Sequence, residues 1–329
     1  MINNIQALRA FAAINVVFLH VLKTATNYQQ DAGFLSFLSG WGANGVDIFF
    51  VISGFVMLHT QMQRRRGIGD FLKSRIIRIV PIYWLITAFV VVLYFALPGL
   101  FRSLEVTPAS ISWSLLFISK LMTGESPIVY VGWTLEWEMF FYLIFGLSLA
   151  IGIWKYTLVT VGVILLVTSF MAWDFISLEF LFGMGIAYLF NTGYRVSNTT
   201  GIAIFAIGFA LLCLSLVDSE AVTQVNRAVI WGIPSALIVF GLISVGQTSN
   251  AFAIYLGDAS YSIYLIQILS IPAFYKASSI VLGSANGDVI ALLCLVASVF
   301  AGCLMYSFIE KPITTKLRTT LSGARMARQ

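Results

Sequence analysis

Residues 5–22 read IQALRAFAAINVVFLHVL, an apolar run interrupted by the charge of Arg9 and the imidazole of His20. At about 1.5 Å per residue, such a run with its flanks makes a helix able to cross the roughly 30 Å hydrocarbon core of a bilayer. How this run is read decides the fold, because similar windows recur along the whole chain. They cover residues 5–23, 44–62, 80–97, 131–150, 156–173, 175–190, 200–217, 228–245, 259–276 and 288–308. Composition agrees: 59% of the 329 residues are hydrophobic and 10% are charged, where a soluble domain carries about 25% charged residues. Mean hydropathy is +0.93. The expected fold class is therefore all-α, a polytopic integral membrane helix bundle of about ten transmembrane helices. Residues 110–122 are apolar but short, so they read as a re-entrant or interfacial piece. The first run lacks the basic region that precedes a signal peptide's apolar core, so it counts as a span.

Basic residues orient such a bundle. With an even number of spans and both termini in the cytoplasm, Arg64, Arg65, Arg66, Lys73, Arg75, Arg78, Lys155 and Arg195 fall on the inner side. Lys311, Lys316, Arg318, Arg325 and Arg328 of the tail join them. Lys23, Arg102, Lys120, Arg227 and Lys276 fall outside, so the surplus is cytoplasmic, as the positive-inside rule requires. The net charge of +5 thus faces membrane lipids, and nothing in its arrangement suggests nucleic acid. Cys213, Cys294 and Cys303 lie within spans without metal-ligand spacing, so no metal is expected. The expected organisation is one membrane domain, residues 1–312, followed by a basic cytoplasmic tail, 313–329. The expected location is the cell's inner membrane.

Ionisable groups inside spans are costly and mark function by default. Arg9 and His20 are about three helical turns apart and share one face of the first span, with about 16 Å between them. A long ligand lying on that face could meet both. GVDIFFVISGF, residues 45–55, places Asp47 at the outer end of the second span. There it reads as an interfacial cap or a buried functional carboxylate, while Gly45, Ser53 and Gly54 allow close helix approach. In the stretch at 64–84, Arg75 and Arg78 form a fork suited to phosphate oxygens, whether of lipid or of a ligand. That stretch reads as an inner-leaflet helix turned into the third span at Pro81. WTLEWEMFFY, residues 133–142, puts Glu138 and Tyr142 one turn apart on a shared face, and leaves Glu136 nearer the surface. Trp133 and Tyr142, the ends of this stretch, are substrate-contacting candidates.

These pieces, in this order and together with DASYSIYLIQ at 258–267, resemble the acyltransferase family 3 membrane O-acyltransferases. The likeness is greatest to the exopolysaccharide acetyltransferases of rhizobia and spans essentially the whole chain. It implies transfer of an acyl group, usually acetyl, from cytoplasmic acetyl-CoA or another acyl-CoA to a glycan hydroxyl. Through it His20 inherits the role of catalytic histidine, with Arg9 as its paired arginine. Arg75 and Arg78 match the arginines taken to bind the coenzyme A phosphates, and Glu138 the glutamate of the tryptophan-to-tyrosine motif. Asp47 matches the acidic residue before the double phenylalanine. Implied partners are the glycan acceptor, lipid-linked or free, and polysaccharide assembly machinery. One departure is Gln267, where many relatives have histidine; a glutamine cannot shuttle protons at neutral pH.

Acyl transfer from a thioester needs a base for the attacking hydroxyl, stabilisation of an oxyanion and alignment of both substrates. A neutral imidazole suits the first task. His20 is thus expected either to deprotonate the hydroxyl, its tautomer held by Asp47 or Glu138, or to carry the acyl group transiently. A secondary transporter or flippase would also keep ionisable residues in its spans, but would consume no coenzyme A ester. A structural or assembly protein would leave surface glycan acetylation unchanged on loss of His20.

Overall fold

In the computed structural model the apolar runs form helices, and among the described residues, 2–101, 104–219, 221–281 and 285–326, no strand forms. Arg102 and Arg328 lie outside the described residues. The helices, in chain order, are α1 (Asn3–Ala25), α2 (Asn44–Gln63), α3 (Ile68–Ala96), α4 (Pro108–Leu116), α5 (Ser119–Thr123), α6 (Trp133–Ser148) and α7 (Trp154–Ala172). There follow α8 (Leu178–Asn191), α9 (Asn198–Leu214), α10 (Ile233–Ser244), α11 (Ala251–Asp258), α12 (Ser260–Val281), α13 (Gly287–Met305) and α14 (Lys311–Met326).

Among the described residues, seven helical segments are long and apolar enough to cross a membrane; they are built on α1, α2, α3, α6, α7, α12 and α13. The stretches expected as spans at 175–190, 200–217 and 228–245 form shorter apolar helices, Phe175–Asn191, Asn198–Leu214 and Ala228–Ser244. At about 1.5 Å per residue each rises only about 26 Å, less than a typical hydrocarbon core. One local expectation is corrected. Pro81 does not turn the chain: α3 runs unbroken through it, since an interior proline removes a single ladder hydrogen bond and neighbouring helices tolerate the site. A π-helical turn, Tyr306–Glu310, carries α13 directly into α14. The basic tail is therefore largely helical. The short 110–122 stretch becomes α4 and α5, broken at Phe117 by its positive φ of 60°.

The core sits around α2. Of its apolar window 83% is buried, against 28% for α7, whose Val159, Val163, Leu166 and Phe170 face outward. Outward apolar side chains on a spanning helix face lipid, which is as apolar as they are. Close helix contact in such a bundle comes from small residues. A Cβ on Gly54 of α2 would lie 2.0 Å from the Phe180 carbonyl oxygen, and one on Gly183 of α8 would lie 1.9 Å from that of Val51. These two glycines let α2 and α8 touch backbone to backbone. Phe50, Phe180 and Phe141 then stack in series, with centroids 4.3 Å apart at each step, and fasten α6 to the pair. Helix α1 lies antiparallel to α2, joined by the Asn15–Asn44 side-chain hydrogen bond of 2.7 Å.

Gly183→Ala should lower the thermal midpoint in detergent, by a cost on the order of 1–3 kcal/mol for overpacking. Gly185→Ala on the same helix, where a Cβ would meet nothing within 4 Å, should leave the midpoint unchanged or raise it. Equal midpoints for the two variants would contradict the packing described.

Candidate functional site

A cavity of about 490 Å³ opens between α1, α2, α3, α6 and α12. At one end it meets Gln63 and Arg66, which are exposed at the close of α2. At the other it stops among Val46, Phe49, Thr134 and Tyr264, where the chain is largely buried. The mouth is therefore at the arginine-rich end, and the blind end lies towards the start of α2.

Arg9, Arg78, Glu138 and Tyr142, singled out from the sequence, all line this cavity. Tyr142 donates a short hydrogen bond to Glu138 Oε1, and Ser53 donates to the same oxygen at 3.1 Å. The Arg9 guanidinium donates to Gln6 Oε1 at 3.0 Å, and Gln6 donates in turn to Asp258 at 2.5 Å. Neither Arg9 nor Arg78 has a carboxylate within 4 Å among the described residues. Arg75 does not line the cavity; it lies over the ring of Tyr142, 6.0 Å from the centroid, and donates to Ser74. The fork read from spacing is thus split, with Arg78 facing the cavity and Arg75 supporting its wall.

His20 does not line the cavity either. Arg9 marks the cavity on α1, and His20 lies about 16 Å further along the same helix, past the blind end. Its ring packs edge-on against Tyr130 with centroids 5.1 Å apart. Neither Asp47 nor Glu138 holds the imidazole. Glu138 is engaged by Tyr142 and Ser53. Asp47, fully buried, accepts two hydrogen bonds from Arg227, at 2.9 Å from Nε and 2.7 Å from Nη2. Arg227 also donates to the Ala43 carbonyl at 2.9 Å and lies over Trp231. Its reading as a purely topological charge is thereby corrected: a buried carboxylate needs a bidentate partner more than a loop needs a cation.

Other expectations change for similar reasons. Glu136 is buried, not solvated, and accepts from the backbone N–H groups of Ser119 and Lys120 at 2.9 Å each. It thus satisfies the first donors of α5, which no side chain within that helix could reach. Trp133 lies outside the main cavity, under Lys120, whose Nζ is 5.1 Å from the ring centroid. Gln267 is buried and donates to the Tyr264 carbonyl at 2.7 Å. His59 stands at the mouth, stacked on Phe55, with Nδ1 3.1 Å from the Asn191 amide nitrogen. Sequence reading missed Gln6, Arg66, Ser53, Tyr261 and Tyr264 as lining residues. Tyr261 and Tyr264, three apart in one motif, carried the one available signal.

Both fold and site define a membrane protein with a partly buried cavity lined by Arg9, Arg66 and Arg78. A family model described as an acyltransferase domain, Acyl_transf_3, matches residues 2–308. The chain belongs to this family and is a membrane acyltransferase. Among relatives, it is 33% identical to the exopolysaccharide production protein ExoZ of Rhizobium meliloti (strain 1021), over 87% of this chain and 94% of that protein. It is 25% identical to the acyltransferase MdmB of Streptomyces mycarofaciens, over 94% of this chain and 90% of that one. No solved structure matches significantly.

Asp47→Ala should strand the buried Arg227 cation and cost about 3–5 kcal/mol, seen as a large fall in thermal midpoint. Replacing both residues by apolar ones of similar volume should recover most of that loss. A single variant as stable as wild type would show that the pair carries no such load.

Proposed function

We propose that the protein moves an acyl group, acetyl by default, from cytoplasmic acyl-CoA to a hydroxyl of a surface or exopolysaccharide glycan. One observation carries this reading: among the described residues Arg9 and Arg78 face the cavity without carboxylate partners, and Arg66 stands at its mouth. Guanidiniums without a counter-charge at a partly buried site are costly unless an anion completes them. The coenzyme's phosphates supply that anion, while Ile5, Phe49, Val56 and Ile79 fit its apolar arm. In this reading the ten apolar helices all cross the inner membrane, with both termini and the cavity mouth cytoplasmic. The name of the rhizobial relative supports an exopolysaccharide glycan as acceptor.

The thioester then lies towards the blind end, and it reaches His20 once the Phe49–Tyr264 contact, 6.3 Å between centroids, turns aside. His20 takes the proton of the sugar hydroxyl. The hydroxyl oxygen bonds to the carbonyl carbon, the C–S bond breaks, and the proton passes to the leaving thiolate. Glu138, held by Tyr142 and Ser53, fixes the cavity wall beside Arg78. Asp47 is a positioning residue that acts through Arg227. A second route, in which His20 carries the acyl group as an intermediate, is favoured by its place beyond the cavity. Labelled acyl-enzyme trapped without acceptor would select that route.

Deletion of the gene should remove O-acyl groups from the producing cell's surface polysaccharide, as read by NMR, and wild type should restore them. His20→Ala should not. Arg78→Ala should raise the apparent KM for acetyl-CoA by roughly ten- to a hundredfold, the worth of a charge-assisted hydrogen bond of about 1.5–3 kcal/mol. Absence of any coenzyme A thiol release by the purified wild type would overturn the reading.

A further inference from the structure

A second, smaller pocket of about 220 Å³ lies beside the beginning of α6, lined by Lys120, Trp133, Asp174, Gln224 and Arg227 among others. It is below the roughly 300–1,000 Å³ of sites that enclose a drug-sized ligand, so it holds about one ring. Arg227 pairs with Asp47 at the start of α2, the end opposite the Arg66 mouth of the main cavity. The two pockets therefore open towards opposite ends of the bundle.

Its chemistry differs from that of the main cavity. Asp174 is buried; its Oδ1 accepts from the Ile176 N–H at 3.3 Å, and its Oδ2 lies 3.5 Å from Lys120 Nζ. Its lone pairs are not exhausted by these two contacts. Arg227 uses Nε and Nη2 on Asp47 and Ala43, while Nη1 has no partner among the described residues. The Gln224 side-chain amide, on an exposed loop, likewise makes no hydrogen bond among the described residues and brings both a donor and an acceptor. Trp133 contributes an aromatic face. Hydroxyl groups donate and accept at once, and the C–H face of a sugar ring is apolar. A lining of carboxylate, ammonium, amide and guanidinium beside one aromatic ring, whose other face Lys120 covers, matches the mixed donors and acceptors of a sugar ring, and its buried carboxylate disfavours a phosphate.

Position points the same way. Residues 130–136 form one tight turn and the first turn of α6. Along them Tyr130 touches His20, Trp133 lines the small pocket, and Thr134 and Leu135 line the large cavity. Glu136 anchors α5, and with it Lys120, beside this turn. A ring seated on Trp133 would thus lie on the other side of this segment from the donor cavity, one turn from Tyr130, against which His20 packs.

We infer that the pocket of Lys120, Trp133, Asp174, Gln224 and Arg227 is the acceptor subsite and seats one sugar ring of the glycan whose hydroxyl is acylated. The assignment rests on the acyl-transfer reading above. It is tested with full-length protein in nanodiscs and oligosaccharides released from the producing cell's own polysaccharide, stripped of esters by mild alkali. Asp174→Asn and Gln224→Ala should each raise the apparent KM for these oligosaccharides at least fivefold, leaving that for acetyl-CoA within twofold. Trp133 fluorescence, isolated as the difference from Trp133→Phe, should respond to oligosaccharide in the absence of any acyl donor. Gln224→Ala, on the exposed loop, keeps the test open if Asp174→Asn fails to fold. Unchanged oligosaccharide KM in the folded variants, or no response of Trp133, would overturn the subsite. If wild type binds oligosaccharide but releases no thiol from acetyl-CoA, the acyl-transfer reading fails and the sugar site stands.

Discussion

A bilayer interior offers no water to a buried charge or amide, so each polar group inside this bundle must find its partner within the protein or wait for one. Most have found one. Asn4 donates to the Leu242 and Gly246 carbonyls and accepts from the Thr248 N–H, tying the start of α1 to the last turn of α10 and the loop after it. Asn15 pairs with Asn44, Ser262 with Glu310, and Asp47 with Arg227. Among the described residues, Arg9 and Arg78 face the main cavity without carboxylates and the Ser260 hydroxyl on its wall has no partner, while Glu179, Ser235, Gln267 and Ser298 hold unpartnered buried atoms away from it.

The second organising element is the beginning of α6. It is clamped from three directions: the Phe50–Phe180–Phe141 stack holds the helix body, and Glu136 pins α5. Tyr264 reaches across from α12 to the Val131 carbonyl at 2.8 Å. This rigidity matters because the segment separates two pockets of opposite chemistry. In the proposed transfer, donor and acceptor must meet while water and ions do not pass, and this segment is the element that lines both pockets.

Much of the site is legible in the order of residues along the chain. Arg9 stands out because an arginine inside an apolar run is expensive, and it lines the cavity. Helical spacing pairs Glu138 with Tyr142, and their side chains hydrogen-bond. The same spacing says less about Arg75 and Arg78. Three residues correspond to about 300° of rotation, so the two side chains diverge enough for one to face a cavity and the other its outer wall. His20 and Arg9 share a face, but α1 outruns the cavity it lines.

By itself, the sequence determined the environment and the inventory. Runs of apolar residues can only be satisfied as lipid-embedded helices, and the few charges within them, each costly, had to be used. Tertiary structure decided the pairings: that Asp47 answers to Arg227, 180 residues away, that Glu136 anchors a short helix, and that His20 packs on Tyr130 outside the cavity. Helical periodicity fixes the face on which a side chain lies. Which neighbour meets that face depends on how deep each helix sits and how closely its glycines let it approach another, and no local pattern encodes that.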